Sequence, residues 1–165
     1  MDGDSFLDLG AVVPSHMKDP SNLYMMDILK HDTHWTQKIT GVGFGDMRKN
    51  SYEISADVLF DTGSSCILVP DAYYFWFLEK LGDKGMAYYS DNGSRPYLQD
   101  CSVLADLPII YFLIGGYWFQ ADPLDYVLPN SFTCPICISR SPVDGFILGD
   151  AFLRNYYIVH NLSTL

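Results

Sequence analysis

The chain has 165 residues, 48% of them hydrophobic and 15% aromatic, with 20 acidic against 10 basic residues and a net charge of −10. That length and apolar content suffice to bury a core within one domain and exclude a disordered chain. The acidity argues against nucleic acid as a partner, since phosphate contacts need a basic surface; it serves solubility, or suits acidic surroundings in which protonated carboxylates stop repelling one another.

In chain order the first element is a strand over Met25-Met26-Asp27-Ile28-Leu29, followed by a His-Asp turn. Trp35 to Phe44 alternates broadly between apolar and polar residues and ends at the turn signal Gly45-Asp46, so it reads as a second strand. Tyr52 to Phe60 reads as a third, running into Asp61. Pro70-Asp71 opens the best helix candidate, with Asp71 as its cap, Gly82 as its end, and Tyr74, Phe77, Leu78 and Leu81 on one face. Core packing is the simplest use of that stripe. Tyr88 to Pro96 is polar, with a loop tip at Asp91-Asn92-Gly93. Pro108 to Leu113 reads as a buried strand that Gly115-Gly116 turns into a partner, Tyr117 to Gln120. Asp122-Pro123 starts a short helical turn with proline at the first helical position. Phe146 to Leu148 is an apolar strand ending at Gly149, a helix capped by Asp150 follows, and Tyr157-Ile158-Val159 is a last strand. The architecture reads as mostly β with two short helices, in a single domain over residues 1–165.

The uncharged run Leu107 to Ala121 is too short, and too interrupted by glycine, to span a membrane. Met1 to Leu7 lacks the basic start and apolar core of a signal peptide, which leaves a cytosolic protein or a chain without its natural beginning. Two glycosylation triplets, Asn92-Gly93-Ser94 and Asn161-Leu162-Ser163, favour the second alternative.

The stretch Ala56 to Ser65 carries the chemistry. A strand delivers Asp61 to the mouth of a turn, Asp61-Thr62-Gly63-Ser64. Gly63 lets a bound chain approach the backbone, and the Thr62 and Ser64 hydroxyls can fix the turn and orient the carboxylate. This is the layout of an aspartate that activates water. Downstream, Ile147-Leu148-Gly149-Asp150 reads locally as a strand end with a helix cap.

Together these segments resemble the C-terminal half of a pepsin-family aspartic protease. Asp61-Thr62-Gly63-Ser64 is similar to that family's second catalytic motif, and Ile147 to Tyr157 to the segment that crosses behind the catalytic loop. Phe6 to Gly10 resembles a hydrophobic-Gly strand of the family, and His34-Trp35 an aromatic pair on the strand that follows Gly10; Cys101-Ser102, Leu107-Pro108 and Tyr126-Val127-Leu128 fall in register with the family's long cysteine loop. The resemblance implies one lobe of a bilobal, mostly β fold, closed and barrel-like, in which small Gly149 lets its strand pass close behind the Asp61 loop. It also implies hydrolysis of peptide bonds by water held between two aspartates that share a proton. Asp61 is one of them; no second Asp-Thr-Gly or Asp-Ser-Gly exists in the chain, so the other is expected from an N-terminal lobe. Thr62 would grip the counterpart loop, Gly63 and Ser64 would bond the substrate backbone, and Ile147 would line a substrate pocket. The partners implied are a polypeptide substrate and the N-terminal lobe, without metal or organic cofactor, in an extracellular or lysosomal or vacuolar compartment. Two rival readings are a non-catalytic lobe that binds protein, and a symmetric dimer contributing Asp61 twice.

Of four cysteines, the resemblance implies a disulfide between Cys101 and Cys134, worth about 3–4 kcal/mol in the chain-entropy model. Cys134-Pro135-Ile136-Cys137 lacks the second ligand pair a zinc site needs, and the βαβ context of a thioredoxin-type motif. Cys66 reads as a buried thiol.

Overall fold

The computed structural model describes residues 6–29, 33–82, 86–88, 96–128 and 134–161, with the backbone alone for 86–88. The fold is mostly β. Ten strands are seen among these residues: β1 (Thr36–Phe44), β2 (Ser51–Phe60), β3 (Ile67–Val69), β4 (Met86–Tyr88), β5 (Pro96–Leu98), β6 (Ile110–Ile114), β7 (Tyr117–Ala121), β8 (Cys134–Pro135), β9 (Ile138–Arg140) and β10 (Phe146–Leu148). Three α-helical segments join them: α1 (Asp71–Leu81), α2 (Pro123–Tyr126) and α3 (Asp150–Leu153). One sheet has the order β7-β6-β1-β2-β10-β3-β9, and a smaller one has the order β4-β5-β8.

Period-two burial explains the strands. Ile110, Phe112 and Ile114 of β6, Val58 of β2, and Phe146 and Leu148 of β10 are fully buried on the face that α1 covers. From α1, Tyr74, Phe77, Leu78 and Leu81 are buried, the four residues that its periodicity places on one side. Phe77 sits at the centre, with ring centroids 5.0 Å from Phe44, 6.3 Å from Phe112 and 6.4 Å from Phe146. Gly115 and Gly116 have φ of 59° and 85° and close the β6–β7 hairpin, a pair of left-handed conformations that other residues resist.

The topology around residues 61–66 matters most. β2 and β3 flank this loop in sequence but are not neighbours. β10 lies between them, parallel to β2 (Leu59 beside Ile147) and antiparallel to β3 (Leu68 beside Ile147).

Several expectations require correction. Phe6–Gly10, Met25–Leu29 and Tyr157–Val159 are not strands. Their patterns suit a sheet, but a ladder needs a partner backbone, and among the described residues none runs beside them. Leu29 donates one bond to the Thr36 carbonyl (3.1 Å), and Tyr157 to Val159 line an apolar groove. Asp71 is the first helical residue and not the cap; Pro70 takes the cap position, and the Asp71 carboxylate instead accepts from Arg140 (3.0 Å). Gly149 likewise precedes α3 and Asp150 begins it. The expected tip at Asp91-Asn92-Gly93 lies outside the described residues, as does the triplet at Asn92.

Cys66 is not a free thiol: it is joined to Cys137. The cause is the parallel pairing of β3 with β9, in which Ile67 stands beside Ile138. The residues just before that pair are Cys66 and Cys137, whose Cα atoms are 4.7 Å apart, inside the span a disulfide bridges. Cys101 and Cys134 form the second bridge, closing a separation of 33 residues.

Candidate active site

β2 carries Asp61 to the sheet's end, and the backbone then turns sharply. The Ser64 N–H donates to the Asp61 carbonyl (3.2 Å) and closes the turn. Thr62 and Gly63 form its exposed tip, while Asp61 and Ser64 are half-buried. Both carboxylate oxygens are held. Oδ1 accepts from the Gly63 N–H (3.0 Å) and Oδ2 from the Ser64 hydroxyl (2.6 Å). A Cβ on Gly63 would stand 3.2 Å from Asp61 Oδ1, so the glycine keeps that approach uncrowded.

These contacts set the acidity. The Ser64 hydroxyl, then the Gly63 N–H, hold the Asp61 carboxyl below the usual carboxylate range. Partial desolvation opposes them and a nearby His34 adds to them. The group is therefore a half-buried carboxylate that stays ionised over most of the pH scale.

The loop is fastened from behind by β10 and α3. Asp61 N–H donates to the Leu148 carbonyl (3.1 Å), Gly149 N–H to Cys66 (3.2 Å), Asp150 N–H to Ser64 (2.7 Å) and Ala151 N–H to Ser65 (2.9 Å). Every loop carbonyl from Ser64 to Cys66 thus receives a backbone donor. The Cys66–Cys137 bridge fixes the loop's far end. It was missed because nothing local in the sequence pairs these cysteines; the signal would have been the register of β3 against β9.

Ile147 lies in β10 on the face opposite the core, between Leu59 and Leu68, and is 7% exposed. Cys134 belongs to β8 of the smaller sheet, and Cys101 opens the turn over residues 101–106. Among the described residues no three His, Cys, Asp or Glu side chains gather as a metal site would require. No described helix is long and apolar enough to cross a membrane.

A groove of about 1130 Å³ runs between residues 22–29 and residues 156–161; Phe60 lines it, while Asp61 itself does not. Trp35, Phe60 and Phe152 are among its walls. Trp35 stacks on His160 with centroids 4.5 Å apart.

The chain has relatives among known proteins. The family model described as eukaryotic aspartyl protease matches residues 2–165. A vacuolar aspartic protease of Candida albicans is 30% identical over 140 residues, covering 82% of this chain and 32% of its own length. A gastricsin of Callithrix jacchus is 29% identical over 153 residues, covering 87% of this chain and 38% of its own. Vacuolar protease A of Neurospora crassa is 31% identical over 141 residues, with 82% and 33% covered. The chain thus spans about a third of the length of the curated relatives it matches.

Proposed function

Because the chain belongs to the eukaryotic aspartyl protease family, we propose that it is the C-terminal lobe of an aspartic endopeptidase and supplies one catalytic carboxylate, Asp61. The observation that carries this reading is the Asp61 turn itself. A solvent-facing carboxylate has both oxygens pinned by Gly63 and Ser64, in a loop bonded from behind by Leu148 to Ala151.

Cleavage needs a base and an acid at once. Water held between two carboxylates gives up a proton to one as it attacks the peptide carbonyl, and the other donates to the developing oxyanion. Asp61 is the base in this scheme. The second aspartate comes from an N-terminal lobe, carried by the same gene product or by a separate chain. Thr62, at the exposed tip, grips the counterpart loop. Gly63 and Ser64 offer the substrate backbone their polar groups, and Ile147 borders a side-chain pocket. The substrate is a polypeptide. Two disulfides suit an oxidising compartment, and two relatives, those of Candida albicans and Neurospora crassa, are vacuolar proteases.

The groove supports the two-lobe reading. Residues 25–29 and 157–159 have the composition of strands and, beyond the single Leu29–Thr36 bond, form no ladder among the described residues. A second lobe contributing strands there would complete their ladders and cover the apolar walls. The test is reconstitution: the chain alone has no peptidase activity, the chain combined with an N-terminal lobe of the family cleaves protein substrates at acidic pH, and Asp61→Asn abolishes that cleavage. Full activity in Asp61→Asn would overturn the assignment.

A further inference from the structure

We infer that Asn161 is an acceptor for an N-linked oligosaccharide, and that this sugar shields the apolar groove while the groove stands open. The inference rests on the oxidising compartment proposed above, because such sugars come from a lipid-linked donor on the lumenal side of the secretory route.

The sequence supplies the acceptor. Asn161-Leu162-Ser163 has the asparagine, a middle residue other than proline, and a hydroxyl two positions on. The other described asparagines lack that hydroxyl: Asn22, Asn50 and Asn155 each have tyrosine at the second position after them. Transfer joins the Asn161 side-chain nitrogen to the first carbon of the sugar. The bond from that carbon to the pyrophosphate of the lipid donor breaks, the lipid pyrophosphate leaves, and the amide nitrogen gives up one proton.

The fold leaves room for the product. A bulky sugar needs a place at the surface, and Asn161 is exposed. Residues 157–161 belong to neither helix nor strand, so a sugar there interrupts no regular element. A surface loop is where this triplet is modified.

Asn161 is also a wall of the groove. Leu23, Tyr24, Met25 and Ile158 line the same groove and are large, exposed apolar side chains. Such a surface invites association. The net charge of −10 opposes it at neutral pH, but that charge falls as carboxylates protonate in acid. A neutral oligosaccharide does not titrate. Anchored at the groove it holds water there and keeps a second chain at a distance in acid as well.

The experiment is secretion of the 165-residue chain from a yeast host behind a cleavable leader, with Asn92→Gln to leave one triplet. Peptide mass mapping, before and after the amidase that releases N-linked sugars, reads the site: residue 161 should emerge as aspartate. Ser163→Ala should lose the sugar and Ser163→Thr should keep it, a contrast that a merely structural role of the serine does not produce. Light scattering in acid then compares the glycosylated chain with Ser163→Ala. The expected result is an onset of association at a severalfold lower concentration in Ser163→Ala. A secreted chain with Asn161 bare, or a sugar retained in Ser163→Ala, would overturn the site; equal onsets with and without the sugar would overturn the shielding. The leader brings the chain to the lumen whatever its native route, and no turnover is read. Failure here is therefore distinct from failure of the compartment or peptidase reading.

Discussion

Gly149 passes so close to Ser64 that a Cβ built on it would stand 2.2 Å from the Ser64 carbonyl oxygen and 2.7 Å from that of Cys66. Its φ is −91°, so the backbone conformation itself is open to any residue, and space alone demands glycine. The atoms met are backbone and cannot swing aside. Gly149→Ala is expected to destabilise the chain by about 1–3 kcal/mol or more and to displace the Asp61 turn. Denaturant unfolding reads the first effect; the Asp61 carboxyl chemical shift reads the second.

Ser64→Ala removes the strongest hold on Asp61. Its carboxyl, now below the ordinary value, is expected to titrate at higher pH, and the acid limb of activity in a reconstituted enzyme moves the same way. Ser64 is half-buried and its bond is to a charged group, so stability at neutral pH is expected to fall by about 1 kcal/mol. A carboxyl titration paired with thermal melting checks both.

The two disulfides are expected to differ in what they protect. Cys66–Cys137 closes a separation of 71 residues and Cys101–Cys134 one of 33. In the chain-entropy model these are worth about 4 and about 3–4 kcal/mol taken singly. Replacing Cys66 and Cys137 by serine should also shift the Asp61 resonance, whereas replacing Cys101 and Cys134 should leave it in place. Peptide mapping without reduction verifies the pairing; a Cys134–Cys137 link would contradict it.

Segment 6–17 is tied to the C-terminal segment through Asp8. This carboxylate lies 2.9 Å from His16 Nδ1 and accepts from the Tyr157 hydroxyl (2.7 Å), which in turn accepts from Val13 N–H (3.2 Å). The His16 contact first, then the Tyr157 hydroxyl, lowers the Asp8 pKa from its ordinary 3.8. A depressed carboxyl stabilises the folded form fully above its unfolded value and loses that contribution as pH falls through the lower folded one. The segment should therefore stay docked above about pH 4 and loosen below it, and Asp8→Asn should loosen it at every pH. Hydrogen exchange at the Val13 amide reads the release.

The groove between residues 22–29 and 156–161 predicts association. Unpaired backbone beside apolar walls invites a second molecule. Light scattering of the chain alone should rise with concentration despite its net charge of −10, and an N-terminal lobe should suppress the rise. A monomer at high concentration would favour the non-catalytic reading.

What the sequence disclosed, and what it withheld, follows a physical division. The strands around Ile39, Val58 and Phe112, the stripe of α1 and the Gly115-Gly116 hairpin were legible because their signals are local: period two, period 3.6 and positive φ. The closeness of Gly149 to the loop was legible through the family resemblance. Cys66–Cys137 was not, since it depends on β3 and β9 lying side by side, a register that no short window contains. The non-strand state of Met25–Leu29 and Tyr157–Val159 was invisible for the same reason, because apolar pattern tells that a segment wants a ladder and not whether a neighbour is there.

The insertion of β10 between β2 and β3 also fixes an order of events. A chain emerges from the ribosome amino end first, so Asp61 is exposed long before Phe146 to Asp150 exist. In that interval β2 and β3 have no strand to separate and align them, the carbonyls of Ser64, Ser65 and Cys66 lack their donors, and Cys66 waits for Cys137. Completion of the aspartate turn thus waits until residues 146–151 have been made, and any nascent chain stopped short of residue 150 carries Asp61 without the scaffold that makes it a shaped carboxylate.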